Sequence, residues 1–157
     1  MEWSSPWVIG AVVLAVVAFA IRRSVRNWRY SREAQKALRD FKLQRELLEA
    51  KFFDLAASQG KPRGLRWVDC NWQDAVTFAR DRQSGLLTAF AAVQISFEAI
   101  EGGDMEDVPA VSDVRYAAAV FHYQRGRWGT GGRALFNLNP HDALVRLENQ
   151  FEPVALP

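Results

Sequence analysis

The side chains able to do chemistry are few and scattered. The chain has two histidines, His122 and His141, and a single cysteine, Cys70. A zinc site needs several nitrogen or sulfur ligands at short, recognisable spacings. Neither histidine has a Cys, Asp or Glu placed that way. Nothing around Cys70 would activate it as a nucleophile, and a lone thiol of this kind reads as a small buried apolar residue. The densest acids are Glu98, Glu101, Asp104, Glu106 and Asp107. A calcium loop would need alternating ligands with glycine sixth and glutamate twelfth. Glu101-Gly102-Gly103-Asp104-Met105-Glu106-Asp107 lacks that pattern and reads as a solvated loop, with a docking patch as its other use. Four glycines between Gly126 and Gly132 sit beside Arg125, Arg127 and Arg133. No Gly-Lys-Ser/Thr ending and no following helix make this a phosphate loop. Arginines around Trp128 are the ingredients of a single-strand nucleic-acid site, but one hairpin tip is too little for that, and a turn is expected. The sequence therefore names no catalytic residue, metal ligand or cofactor-binding residue. An enzyme would require distant polar groups, such as His122, Asp69 and Glu98, to meet in one cleft.

The stretch that organises the chain lies elsewhere. Residues 3–21 carry no charge, and Trp7 to Ile21 is entirely apolar or glycine. A membrane-spanning helix needs about 20 such residues. Pro6 suits a first helical turn, where its missing N–H has no partner to lose. Trp3 and Trp7 precede the run, and Trp28 and Tyr30 follow it, as expected of rings that favour the two headgroup zones. From Trp7 to Trp28 is roughly 31 Å of helix at 1.5 Å per residue. A cleavable signal peptide would carry its positive charge before the apolar core; here the charge comes after it, so an uncleaved anchor is expected.

Arg22, Arg23, Arg26, Arg29 and Arg32 follow the run with no acid among them. The excess of arginine on that side predicts a single-pass protein of the cell membrane, with its N-terminus outside and the C-terminal bulk in the cytoplasm. The absence of a disulfide framework agrees. The same collar predicts contact with anionic headgroups, through Arg22, Arg23, Arg26 and Arg29 with Trp3, Trp7 and Trp28 at the interfaces. The formal net charge of +2 conceals this asymmetry: residues 22–52 carry ten Lys/Arg and four Asp/Glu, while residues 60–157 carry ten and twelve. A basic excess confined to the membrane-proximal part argues for lipid and against nucleic acid.

From Ser31 to Ser58 there is no Gly or Pro, and strong helix formers dominate. Leu38, Phe41, Leu48, Phe52 and Leu55 form an apolar stripe, with Arg45 interrupting it. The stripe is either a self-association seam, which would make a homodimer, or the face that packs on the protein's own sheet. The breadth added by Leu47 and Phe53, and the bulk of Phe41 and Phe52, favour packing on the sheet for 41–58.

Gln59 to Gly64 breaks the helix, and alternation then replaces helical periodicity. Strands are expected over Leu65–Trp72 and Ala75–Arg80, with a turn at Asp81–Gly85. A long half-buried strand over Leu86–Ile100 follows, too long to be straight. Another is expected over Val114–Tyr123. Gly129–Gly132 reads as a flexible or bulged link before a last strand, Arg133–Leu138. Asn139-Pro140-His141-Asp142 is a helix start, with Leu144, Leu147 and Phe151 expected along one helical face.

The organisation is thus an anchor with basic collar (1–30), a membrane-proximal helix (31–59) and an α+β domain (60–157). The domain is expected as an antiparallel meander of four or five strands with helices packed on one face. That element order resembles cystatin-like and NTF2-like folds, in which a helix packs against a curved antiparallel sheet. The function expected is a membrane-anchored domain that binds another membrane or cytoplasmic protein as a scaffold or accessory subunit. The alternative is a membrane-tethered small-ligand binder with a pocket inside the curved sheet.

Overall fold

The computed structural model describes residues 6–59 and 64–154. The fold is α+β: a long N-terminal helix and a curled five-stranded antiparallel sheet with helix packed on it. Helix α1 runs Pro6–Gln59, and strands β1 (Leu65–Asp81), β2 (Leu87–Ala99), β3 (Arg115–Gln124) and β4 (Arg127–Phe136) follow. Helix α2 (Pro140–Arg146) and a short strand β5 (Phe151–Pro153) complete it. Its contacts divide the chain into two units, Met1–Lys36 and Ala37–Pro157. The second unit thus begins inside α1.

In the first unit, the apolar side chains from Trp7 to Ile21 are exposed, and one helix near the N-terminus is long and apolar enough to cross a membrane. In the second unit the apolar stripe of α1 is covered. Ala37, Phe41, Leu48, Phe52 and Ala56 are buried, at helical steps that keep them on one side. Phe41 meets Phe78, Phe121 and Trp128 edge-on, with ring centroids 5.5, 5.5 and 5.0 Å away. Phe52 meets Trp72 at 5.3 Å and Trp67 at 6.4 Å. Phe41, Leu48 and Phe52 therefore lie in this chain's own core. Arg45, the interruption in the stripe, is also accounted for. Its guanidinium donates to the carbonyl of Gln73 and to Glu49 Oε1, at the place where β1 bulges.

The strand order is β4-β3-β2-β1-β5. The alternation of β2 explains its central place. Ala89, Ala91, Val93, Ile95 and Phe97 face α1, while Thr88 and Phe90 face the other way, and all are buried. The stretches expected as two strands, 65–72 and 75–80, are one strand, β1, with register shifts between Trp67 and Asp69 and between Trp72 and Val76. Such bulges bend a strand that would otherwise be too long for a compact sheet. Gly129–Gly132 is the bulged alternative of the expected link: it lies inside β4, at a register shift between Ala119 and Phe121. Gly132 takes a φ of +72°, and a Cβ there would stand 2.6 Å from the backbone nitrogen of Ala56. The glycine lets the α1 backbone come down onto β4.

The second helix differs from expectation in its face. Asn139 caps it, its side-chain oxygen accepting from Asp142 N at 2.8 Å, and Pro140 takes the first turn as expected. The helix then packs on the side of the sheet opposite α1, where Ala79, Phe90, Ala118, Val120, Ala143 and Phe151 form a buried cluster. Phe151 is not on α2. It starts β5, which pairs Phe151–Pro153 with Ala79–Asp81, and its ring meets Phe90 at 5.3 Å. The helical spacing of Leu144, Leu147 and Phe151 arises because helix and strand cover the same cluster from adjacent sides.

Candidate functional site

The polar residues singled out in the sequence are held far apart. His122 stands opposite Thr88 on β2, whereas Asp69 stands opposite Ser96 and Glu98 opposite Arg66. Eight residues of strand between Thr88 and Ser96 amount to about 26 Å. Glu98 is engaged by the guanidinium of Arg66. His122 Nδ1 lies 3.3 Å from the Thr88 hydroxyl, and its imidazolium is disfavoured, first by burial and then by Arg133, with Asp81 acting in the opposite sense. The Cys70 thiol is pushed up to about 12, by burial and then by Asp69. Both causes favour the neutral thiol over the thiolate. In the acidic loop, Glu106 accepts from the backbone N–H of Gly102 at 2.9 Å. No group of three metal-ligating side chains occurs among the described residues.

The concave side of the sheet, where a ligand pocket was the alternative expectation, is occupied by the rings of Phe41, Phe52, Trp67, Trp72, Phe121 and Trp128. Open space lies instead at the β1–β5 edge, beside α2. There Thr77, Phe78, Leu144, Val145, Phe151 and Val154 line a groove of about 610 Å³, with Arg82, His141 and Glu148 at its borders. Tight turn chemistry builds it. The Asp81 carboxylate accepts from the backbone N–H groups of Gln83 (2.9 Å) and Ser84 (2.7 Å), which holds its pKa below the ordinary carboxylate value, the Ser84 bond contributing most. Arg82 is tied to the segment after α2: its backbone N–H donates to Gln150 O at 2.8 Å and its Nε to Glu148 O at 3.2 Å. Hairpin tip, helix and β5 therefore frame the groove as one body.

Beyond Ala79–Asp81, the outer edge of β1 has no strand beside it among the described residues. The groove runs along this open edge. Its floor is mostly apolar, with Thr77 as the polar exception, and its rim carries a guanidinium and a carboxylate. That combination suits an apolar side chain or a short extended segment, with the rim fixing its polar ends. Sequence reasoning missed it. The one available signal was Val145, an apolar residue on the outward side of α2 that is 57% exposed.

Of the expected membrane-interface residues, Trp7, Arg22, Arg23, Arg26, Trp28 and Arg29 all lie exposed on α1 in the first unit; Trp3 lies outside the described residues. The Arg32 guanidinium stacks over Trp28, 3.9 Å from the ring centroid. Leu38 borders a second, smaller groove with Lys42 and Asp74, and Leu55 lies against Gly132.

No family model, curated protein or solved structure matches this chain. Its function is therefore argued from its own side chains.

Proposed function

We propose that the chain is a single-pass membrane protein whose small domain faces the cytoplasm and binds another protein as an accessory or scaffold subunit. The observation that carries the reading is the contrast between the two units. In the second, most bulky aromatics are withdrawn into a packed interior, with Tyr116 and Phe136 left exposed; in the first, Trp7 to Ile21 leaves a whole turn-by-turn apolar surface uncovered. Exposed apolar surface of that extent is stable in hydrocarbon and costly in water. The arginines that follow support a cytoplasmic domain.

The groove between α2 and β1 supports protein binding by that domain. Its apolar floor and charged rim resemble the anatomy of a small interface, and the open β1 edge offers backbone groups to an incoming strand. The test is crosslinking and purification of the full-length chain from its native membrane. One stoichiometric partner is expected, lost in Val145→Glu while the domain keeps its circular dichroism and melting temperature. Recovery of the chain alone, or a partner indifferent to Val145→Glu, would overturn the assignment of the groove.

A second reading follows from the groove's volume, which falls within the range of small-ligand sites. Such a ligand would be apolar, with one acidic group directed at Arg82. Co-purification of a small molecule with wild-type chain and not with Val145→Glu would favour it.

A further inference from the structure

The outer edge of β1 offers hydrogen bonds one residue further than β5 uses them. The Arg82 N–H donates to Gln150 O at 2.8 Å, and Phe78 O accepts from Val154 N at 3.1 Å. Asp81 turns the other way, and its N–H donates to Leu86 O. In an antiparallel ladder this direction alternates residue by residue, so Val76 is the next residue whose N–H and C=O face outward. Beyond it the edge closes: a bulge lies between Trp72 and Val76, and Arg45 takes the carbonyl of Gln73. Against Val76 lies a groove of about 380 Å³, lined by Leu38 and Phe41 of α1, by Val76 and Phe78 of β1, and by Lys42 and Asp74.

We propose that residues 155–157 continue β5 along this edge, with Leu156 pairing with Val76 and filling the groove. Register carries the inference. Pro153 stands opposite Ala79, which sets Ala155 opposite Thr77 and Leu156 opposite Val76. Directly opposed side chains share a face. The Phe78 ring meets Phe41 at 5.5 Å, so Phe78 and Val76, two residues apart, point to the α1 side, and Leu156 joins them there. The prolines fit the same register. Pro153 occupies a position whose nitrogen is turned from β1, and Pro157, four residues on, repeats it, where a missing N–H loses no ladder bond. Glu152, Val154 and Leu156, whose nitrogens face β1, all carry an N–H. Length agrees: two residues past Val154, about 7 Å of strand, reach the level of Val76. On the other face Ala155 adds one methyl group beside Thr77, so the groove at Val145 stays open. The pairing goes beyond protein binding and stands without it; a partner strand entering at Val76 would first have to displace Leu156.

The test is amide hydrogen exchange in the full-length chain in detergent, resolved by residue with NMR and corrected for intrinsic rates. The Val76 and Leu156 amides should exchange at least about tenfold more slowly than the Ala155 amide, which faces away from β1. Leu156→Asp, which sets a carboxylate against an apolar groove, should speed exchange at Val76 by about tenfold, while Ala155→Asp should leave it within about twofold. Nuclear Overhauser contacts should join the Leu156 methyl groups to the Phe41 ring. Equal exchange at Val76 in wild type and Leu156→Asp, or a Leu156 amide as fast as that of Ala155, would overturn the proposal. Protection of Val76 that appears only on adding native membrane extract would overturn it as well, and would give the edge to a partner's strand.

Discussion

The indole N–H of Trp128 donates to the backbone carbonyl of Ala37 across 2.7 Å. One hydrogen bond thus links the start of β4 to the first turn of the second unit, inside a shell of rings from Phe41, Phe78 and Tyr123. Trp128→Phe keeps most of the ring contacts and removes the donor. It should cost about 1 kcal/mol, read as a small fall in melting temperature of the full-length chain in detergent. Trp128→Ala also opens a cavity and should cost about 3–5 kcal/mol.

Gly132 and Gly131 make a matched pair. A Cβ at Gly132 meets backbone atoms of Leu55 and Ala56 at 2.9 and 2.6 Å and sits on a positive φ, whereas one at Gly131 meets nothing within 4 Å. Backbone cannot swing aside as a side chain would. Gly132→Ala should lose at least about 2 kcal/mol, while Gly131→Ala should stay within about 0.5 kcal/mol of wild type. Chemical denaturation of both variants checks the difference.

Phe52 is fully buried, and Leu43 on the same helix is 84% exposed. Phe52→Arg places an unpaired charge among Trp67, Trp72 and Phe121 and should unfold the domain, at a cost above about 4 kcal/mol. Leu43→Arg should leave the melting temperature unchanged. Light scattering on both variants distinguishes this from a dimer seam. A folded Phe52→Arg monomer derived from a wild-type dimer would show that the stripe joins two chains.

The His122 ring should titrate below its ordinary 6.5, because burial and Arg133 both oppose its charged form. With the folded pKa lowered, the unfolded chain takes up the proton first. The stabilising contribution is therefore present above about pH 6.5 and is lost as pH falls from there through the folded pKa. Arg133→Gln should move the ring titration up and Asp81→Asn should move it down, as followed by the imidazole proton resonances.

Much of the fold was legible because its signals are local. The helix formers of 31–58, the alternation of β2 and the Asn139-Pro140 cap each act within a few residues. The stripe containing Phe41, Leu48 and Phe52 was legible as a packing face for the same reason. What escaped depends on distant neighbours. The bulges of β1 follow from its pairing with β2, and Arg45 filling one of them could not be read from the stripe it interrupts. Phe151 sits at helical spacing from Leu147, yet β1 draws it into a strand. The opposite placement of α1 and α2 needs knowledge of both faces of β2 and β3 at once: Phe121 and Val120 are adjacent and serve different helices. The groove beside Val145 was invisible for a related reason, since its walls come from β1, α2 and β5 together.

The arrival of β5 carries a consequence for biosynthesis. Each of β2, β3 and β4 pairs with the strand made just before it. The outer edge of β1 must wait: Gln150, which bonds the Asp81 turn, lies 69 residues downstream of it, and Phe151–Pro153 follow immediately. Until that segment leaves the ribosome, Ala79, Phe90 and Val120 face water. A chain that folded as it was made would therefore leave this layer open until its last segment emerged.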